Sequence, residues 1–409
     1  MSNAPWCGTG YGAQTRRMLD VLRDLGHEAS CFAYYGLDGG SIEWNGFPIY
    51  PPGLDQYGND ALEGHLVESQ ADALITLFDP FVCIEDIYKG LKVPWLAWVP
   101  VDSDGLAKGF DVLNHAKYVI ALSHHGEQQL IKGGIDQDKV MLIPHGVDCQ
   151  LFRNRTEEER AAIRDSLGLP SDCFLVGMIQ ANKGSRKAID VQIEAFARFQ
   201  EKNDDVHLYL HVEPSTAMGG VDIEHCLRES GLLGKGVVHR TSDYHARVGV
   251  GEPTIAGIMG GFDVLLQATC GEGFGIPIIE AQASGVPVIV NDCSAMPELA
   301  RHQELICRNP ARFRAPHGGW HFMPQVDEIV RCLEHVYKQS WNRIQEMRDD
   351  CTRFAQLNFD WPVIQTKWKA VLTLLEAEGG LWPLPQTSSS SDTSPEPPKP
   401  ILPTTLSTT

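Results

Sequence analysis

Short apolar runs rich in β-branched residues alternate with longer amphipathic segments along most of this chain. Near-continuous apolar strands separated by helices are typical of parallel sheets that helices cover on both faces. The runs fall into two series: residues 30–35, 73–77, 93–99, 118–122 and 140–143, then residues 174–179, 207–212, 237–239, 264–266 and 286–290. The pattern therefore predicts an α/β fold with two doubly wound parallel-sheet domains that face each other across a cleft.

The polar, helix-forming segment 153–165 separates the two series. We therefore place a first domain at residues 1–151 and a second at residues 152–340, followed by C-terminal helices at 341–380. In residues 383–409, 19 of 27 positions are Ser, Thr or Pro, so the tail 381–409 is predicted to be disordered. A glycine-rich turn begins at Gly8, and because so few residues precede it, the first strand is expected to be missing.

Charge and composition exclude several classes of protein. Lys and Arg number 34 against 53 Asp and Glu, which gives a net charge of −19 and makes nucleic-acid binding an improbable role. No apolar run reaches the length of a membrane span, and no signal-peptide pattern opens the sequence. The 11 cysteines form no C-x-x-C pair, which favours reduced thiols and a cytoplasmic location.

Two short motifs carry little weight. Gly8-x-Gly10-x-x-Ala13 fits a loose dinucleotide fingerprint, yet it lacks the preceding strand and the acidic residue that the fingerprint requires. Asp102-Ser103-Asp104 resembles a metal-chelating acidic pair, but a match of three common residues arises easily by chance. Asp102 nevertheless follows a predicted strand directly, at the edge where α/β sheets place ligands, so we expect it in the cleft.

The most informative stretch runs from Gly271 to Ile289 and begins GEGFGIPIIE. It predicts a strand, a bare glycine loop, and a helix that starts near Pro277 and ends at Gly285. The amides of Gly273, Phe274, Gly275 and Ile276 would then point into the space above the sheet. Such a helix start suits a phosphate, whereas flanking carboxylates suit hydroxyl donors.

The two carboxylates in this stretch, Glu272 and Glu280, stand eight residues apart, and the stretch resembles the E-x7-E region of the retaining glycosyltransferases of family four. Further segments that are similar to this family are 143–148, 182–187 with 194–196, and 359–361 with Trp368. The resemblance covers about residues 5–378. It implies two Rossmann-like domains in the GT-B arrangement, with C-terminal helices that cross back onto the first domain.

The resemblance also implies roles for individual residues. Glu280 would bind the ribose hydroxyls of a nucleotide sugar, and Glu272 would bind hydroxyls of the transferred sugar. The remaining residues implied at the donor site are Gly273, Phe274, Gly275, Lys187, Arg186, Lys183, Gly10 and Gly12. Of these, Lys187, helped by Arg186 or Lys183, would neutralise the leaving diphosphate, and the two glycines of the first turn would allow close approach to the donor.

The sequence departs from the family in two places. An Arg that the family often carries after the first strand of the donor domain is replaced by Met178 or Ala181. A His on the acceptor side is replaced by Asp102. The histidines His124, His125, His145 and His211 stay unassigned, and a structural role is the more ordinary interpretation for each.

The expected activity is metal-independent transfer of a hexose with retention of configuration, without a cofactor other than the UDP-, GDP- or ADP-hexose substrate. The acceptor stays unidentified, with DNA a less natural choice than a saccharide, lipid or small molecule for so acidic a chain. Two alternatives remain open, which are a nucleotide-sugar epimerase of similar fold and a degenerate protein that only binds nucleotide sugar.

Overall fold

The computed structural model describes residues 1–214, 216–217 and 219–379, so the predicted disordered tail lies outside the described residues. The strands are β1 Ser2–Asn3, β2 Cys31–Tyr35, β3 Ile42–Trp44, β4 Phe47–Tyr50, β5 Leu74–Leu77, β6 Trp95–Val99, β7 Tyr118–Ala121, β8 Val140–Leu142, β9 Phe174–Gln180, β10 Val206–Val212, β11 Val238–Arg240, β12 Val264–Gln267, β13 Val288–Asn291, β14 Ile306–Cys307, β15 Ala311–Arg314 and β16 Trp320–Met323. The α-helices are α1 Gly10–Asp24, α2 Leu62–Glu68, α3 Glu85–Lys89, α4 His124–Lys132, α5 Glu157–Ser166, α6 Ile189–Gln200, α7 Ile223–Glu229, α8 Asp243–Val248, α9 Glu252–Gly260, α10 Ile276–Ala283, α11 Met296–Leu299, α12 Val326–Tyr337, α13 Trp341–Phe359 and α14 Trp361–Ala377.

The first domain contains two four-stranded sheets in the orders β1-β2-β4-β3 and β5-β6-β7-β8. The main chain of Met1 links them, because its carbonyl accepts a hydrogen bond from the Leu77 amide at 3.0 Å. All pairs in both sheets are parallel except the edge pair of β3 with β4. The expectation of a missing first strand is wrong, since Ser2 and Asn3 pair with β2. A strand of two residues is too short to leave a periodic signal in the sequence.

The second domain is a six-stranded parallel sheet in the order β11-β10-β9-β12-β13-β14. Its central strands are almost wholly buried, as the near-continuous apolar runs predicted. Helices α6 and α12 pack against one face, where their apolar side chains form one cluster with those of the sheet. The predicted α/β fold class with parallel sheets is therefore confirmed.

The antiparallel hairpin of β15 and β16 follows the second sheet and was not predicted. It reaches the first domain, where Asp104 and Trp320 exchange backbone hydrogen bonds of 3.1 and 2.9 Å. This part of the sequence has no strand signal, because β15 is mostly exposed and carries two arginines. The hairpin thus joins the two domains on one side of the cleft.

Helices α13 and α14 return the chain to the first domain, close to the predicted positions of two C-terminal helices. Trp368 of α14 is fully buried against Trp98 of β6, with ring centroids 5.1 Å apart. The two chain crossings between the domains lie side by side, because the amide of Val147 donates to the carbonyl of Phe359 at 2.8 Å and the amide of Trp361 donates back to Val147 at 3.3 Å.

Membrane-crossing segments were searched among the described residues. No helix there combines the length and apolar character that a bilayer span requires. All eleven cysteines lie in the described ranges, and none forms a disulfide.

Candidate functional site

The loop between β12 and α10 forms one wall of the cleft. Gly275 precedes the helix with φ of 99°, a left-handed conformation that glycine adopts freely, and Pro277 occupies the first turn. The amides of residues 273–276 donate to no other residue in the described part of the chain. They supply the row of free donors at a helix start that the sequence predicted.

Glu272 lies in this loop as a buried carboxylate. Lys187 Nζ is 2.6 Å from its Oε1 and Arg186 is 3.2 Å from its Oε2, while its amide donates to Ser294 at 2.9 Å. Burial acts to raise the pKa of Glu272, but the two cations outweigh it and hold that pKa below its ordinary value. Lys187 and Arg186 were predicted to neutralise a diphosphate. They are paired with Glu272, which is itself a predicted site residue.

Asp102 comes from the first domain and joins the same charged network. It follows β6 at the carboxyl edge of the sheet, where the strand pattern placed it, and its Oδ2 is 3.5 Å from Arg186 Nε. Its Oδ1 lies 3.6 Å from His321 Nε2 and 3.9 Å from His317 Nε2. Burial opposes ionisation, yet a hydrogen bond from His321 and the charge of Arg186 hold the pKa of Asp102 well below its ordinary value.

Two glycines of the loop between β12 and α10 allow the domains to touch. A Cβ atom on Gly273 would lie 2.4 Å from Pro100 Cβ, and one on Gly271 would lie 2.1 Å from the Asp102 carbonyl oxygen. Both distances are far below van der Waals contact. The bare loop thus serves close packing between domains as well as exposure of its amides.

Glu280 is in a different environment, a small pocket lined by Gln14, Arg17, Asp148, Glu252 and Trp361 among others. Its carboxylate has no hydrogen-bond or ion-pair partner among the residues that the structure describes. Burial, together with the charge of Glu252, raises the pKa of Glu280 to about 8. This carboxyl is therefore largely protonated at neutral pH, when it can donate as well as accept a hydrogen bond.

The remaining predicted site residues are distributed around this wall. Lys183 is exposed and forms no ion pair with any described residue, although its charge is close enough to act on Asp79. Phe274 is buried and packs edge-to-face against His145, with ring centroids 5.3 Å apart, so only its backbone faces the cleft.

The two glycines of the first turn lie within α1 rather than in a loop, since Thr9 caps the helix. A Cβ on Gly10 would lie 3.2 Å from Ile276 Cδ1 across the cleft, so the first turn of α1 lies close to the start of α10. A Cβ on Gly12 would instead lie 2.5 Å from the Cys7 carbonyl, inside its own turn. The structure therefore brings Gly10, but not Gly12, to the opposite wall.

Sequence reasoning missed Asp79. It follows β5 directly, just as Asp102 follows β6, so the same strand-end argument would have found it. Tyr11 donates to its Oδ2 at 3.4 Å, and burial together with the charge of Asp102 raises the pKa of Asp79 to about 6. His317 and His321 were also missed, since only the unpredicted hairpin brings them to the cleft.

His145, His211 and Met178 each occupy a position that a structural role explains. His145 is buried between Trp98 and Phe274, its Nδ1 has no hydrogen-bond partner among the described residues, and burial lowers its pKa to about 3. His211 bonds Thr241 at 2.7 Å on the outer part of the second sheet. Met178 is fully buried in β9, so no cation at that position would reach the cleft.

Comparison with known sequences places this site in context. Residues 171–315 match the family described as "Glycosyl transferases group 1". The D-inositol 3-phosphate glycosyltransferase of Streptomyces scabiei is 29% identical over 167 residues, or 41% of this chain and 36% of that protein. An MMP alpha-(1->4)-mannosyltransferase of Mycolicibacterium hassiacum is 24% identical over 240 residues, or 58% of this chain and 49% of that protein. The chain spans about a third of the length of the first curated relatives that it matches.

Solved structures share the architecture over a greater length. Sucrose-phosphate synthase from Thermosynechococcus elongatus has a TM-score of 0.71 at 17% identity, covering 90% of this chain and 94% of its own. Anabaena HepE in complex with UDP-glucose has a TM-score of 0.68 at 16% identity, covering 90% and 98%. These likenesses show that the chain has the two-domain GT-B fold.

Proposed function

Because residues 171–315 match the family described as "Glycosyl transferases group 1", and because the chain has the GT-B fold, we propose that this protein transfers a hexose from a nucleotide sugar to an acceptor hydroxyl. One observation carries the proposal. Two carboxylates, Glu272 and Glu280, flank a row of unpartnered amides at the start of α10, and this row faces the first domain across the cleft.

Each part of this wall matches one part of a nucleotide sugar. The free amides and the exposed Lys183 suit the diphosphate, with Arg186 and Lys187 adding positive charge from the Glu272 side. Glu272 is ionised and accepts hydrogen bonds from hydroxyls of the hexose. Glu280 has unfilled hydrogen-bonding capacity and suits the ribose diol, to which a protonated carboxyl can both donate and accept.

The reaction that we propose proceeds with retention and needs no ion on the diphosphate. The bond between the anomeric carbon and the phosphate oxygen breaks first, leaving an oxocarbenium-like sugar and a diphosphate that carries the extra charge. The acceptor oxygen then bonds to the same face of the anomeric carbon, and its proton passes to the departing phosphate. The protein contributes positioning and stabilisation of the leaving group.

Structural neighbours favour uridine donors as the first to test. HepE was solved with UDP-glucose, and a trehalose-6-phosphate protein from E. coli was solved with UDP-2-fluoro glucose. Both likenesses are below 25% identity and so concern the fold, which leaves GDP- and ADP-hexoses in the screen.

The test is calorimetric binding of UDP-, GDP- and ADP-hexoses to the full chain, followed by assay of nucleoside diphosphate release. We expect one donor to bind and Glu280→Ala to weaken its affinity by about tenfold or more, as loss of hydrogen bonds to a half-buried carboxyl predicts. The matched control is Glu224→Ala, which removes an exposed carboxylate from α7 in the same domain and leaves donor affinity unchanged.

Four results would count against the proposal. Absence of binding by every donor, or equal affinity in Glu280→Ala and the wild type, would refute the donor site. Conversion of the bound sugar to an epimer without an acceptor would favour the epimerase alternative. Tight binding without slow release of nucleoside diphosphate would favour a protein that only binds the nucleotide sugar.

A further inference from the structure

Three side chains from two domains converge beside the loop between β12 and α10. Asp102 comes from the loop after β6, whereas His317 and His321 come from the turn and second strand of the β15–β16 hairpin. They are the group of His, Cys, Asp and Glu residues in the described chain whose ligand atoms all lie close enough to share a metal ion. The proposed transfer reaction assigns no role to either histidine.

The spacing of the three atoms fits a tetrahedral site. The two Nε2 atoms are 3.4 Å apart, and Asp102 Oδ1 lies 3.6 Å from His321 Nε2 and 3.9 Å from His317 Nε2. Ligands at about 2.0–2.1 Å from a tetrahedral Zn²⁺ are separated by about 3.3 Å. Two of the three separations are therefore within a few tenths of an ångström of that value, and a small shift of His317 would complete the set.

The surrounding charges allow a cation here. Arg186 contacts Oδ2 of Asp102, the oxygen opposite the one that the histidines approach, so the two positive groups would occupy different sides of the carboxylate. Asp79 and Asp104 add negative charge nearby, since Asp79 interacts electrostatically with Asp102 and Asp104 stands two residues along the same loop. His321 is buried, which limits competition from solvent.

Binding also requires a change of tautomer. The Gly319 amide donates to His317 Nδ1 at 3.3 Å, so a neutral His317 carries its proton on Nε2. Metal ligation through Nε2 moves that proton to Nδ1 and turns the Gly319 amide away. Gly318 and Gly319 make up the end of this turn, and glycine accepts such a change of backbone dihedrals at little cost.

We propose that Asp102, His317 and His321 form a transition-metal site of the Zn²⁺ class that is shared by the two domains. Two imidazoles and one carboxylate are ligands that Zn²⁺ commonly takes, with a fourth position left for water. Because its ligands come from both walls of the cleft, the ion would hold the domains together. This site is separate from the leaving diphosphate, which the proposed transfer handles without a metal.

The test uses the full chain without an affinity tag, stripped with a chelator and titrated with Co²⁺, whose visible d–d absorption reports tetrahedral ligation. We expect one equivalent to bind and to be displaced by Zn²⁺. His317→Ala, His321→Ala and Asp102→Asn should each lower the affinity for Co²⁺ by about tenfold or more. Circular dichroism of each variant checks that it is folded.

The matched control is His207→Ala, which removes one of a close histidine pair on the second sheet and should leave Co²⁺ affinity unchanged. Unchanged Co²⁺ affinity in His317→Ala and His321→Ala would overturn the site, as would absence of tetrahedral absorption in the wild type. If only Asp102→Asn is without effect, the ion is held by the hairpin alone and the two-domain site is wrong. Donor binding is measured separately, so failure here does not bear on the proposed transfer.

Discussion

Glu272 and Glu280 are the same residue type in one loop and helix, yet their surroundings make one negatively charged and the other largely neutral at neutral pH. Glu272 is buried with Lys187 and Arg186 and is ionised. Among the described residues Glu280 has no cationic partner, and burial together with the charge of Glu252 holds it largely protonated. The comparison teaches that sequence spacing identifies such a pair, whereas the chemistry of each member comes from contacts with distant parts of the chain.

The difference in protonation also suits the two carboxyl groups to different tasks. An ionised carboxylate in a network of cations is fixed in orientation and accepts hydrogen bonds only, which suits recognition of sugar hydroxyls next to the reacting bond. A protonated carboxyl can exchange roles as donor and acceptor, which suits a diol. Pairs of titratable groups whose surroundings drive their pKa values apart are typical of functional sites.

The largest expected effect comes from neutralising the paired carboxylate. Glu272→Gln leaves the buried Lys187 without its partner, and removing one member of a buried ion pair costs about 3–5 kcal/mol. We therefore expect the free energy of unfolding, measured by urea denaturation, to fall by about 3 kcal/mol. Changing both residues together, as Glu272→Gln with Lys187→Met, should recover much of that loss.

The control for this prediction is Glu224→Gln, which breaks an exposed pair with Arg228 on α7. Exposed pairs of this kind contribute about 0.3–0.5 kcal/mol. Equal urea midpoints for the two single variants would remove the distinction between a paired, buried Glu272 and an ordinary surface carboxylate.

The second effect is expected from a substitution in the loop between the two carboxylates. Gly273→Ala places a Cβ 2.4 Å from Pro100, and neither atom belongs to a flexible side chain that can move aside. We expect the contact between domains to weaken by about 1–3 kcal/mol, as in other cases of overpacking. Small-angle X-ray scattering should show a larger radius of gyration as the cleft opens.

Gly257→Ala is the matched control, because a Cβ there meets no atom within 4 Å. In the helix α9 this change should leave the scattering curve unchanged and raise stability by up to about 1 kcal/mol. An unaltered radius of gyration in Gly273→Ala would show that the loop does not determine how closely the domains approach.

A third effect is a dependence of stability on pH and concerns the protonated carboxyl. Unfolded Glu280 ionises near 4.5, whereas the folded protein holds its proton up to about pH 8. The folded state therefore binds more protons between these values, so this group's contribution to stability falls as pH rises from about 4.5 and levels off above about pH 8. Glu280→Gln cannot ionise and should remove this slope, which is at most about 1.4 kcal/mol per pH unit.

Urea midpoints of the wild type and Glu280→Gln at several values between pH 6 and pH 8 measure that slope directly. The exposed Glu224→Gln serves again as the control and should keep the wild-type dependence. Parallel curves for wild type and Glu280→Gln would mean that Glu280 is ionised in the folded protein, and its contrast with Glu272 would disappear.

Much of the fold was predictable because buried parallel strands leave continuous apolar runs. All ten runs coincide with observed strands to within a few residues, and the helices α13 and α14 were also expected. The missed strands share a cause. β1 and β14 have two residues each, β3 and β4 have three and four residues with β3 largely exposed, and the β15–β16 hairpin is partly exposed and rich in charge. None of them carries enough buried apolar residues to produce a period.

The site was predictable only where its residues are close in sequence. The glycine loop, the helix start and the two glutamates follow from local spacing. The pairing of Lys187 with Glu272 joins residues 85 apart, and the approach of His321 to Asp102 joins two domains. Such contacts leave no local pattern in a single sequence, which is why two expected diphosphate cations were found paired with a carboxylate.

The side-by-side crossings at Val147 and Phe359–Trp361 limit how the domains can move. Two chain segments that are hydrogen-bonded to each other cannot slide in opposite directions without breaking those bonds. They can twist together, so we expect any opening of the cleft to be a rotation about an axis close to both crossings. A rotation of this kind would keep the facing walls in register and would return Asp102 to the same position opposite the loop between β12 and α10.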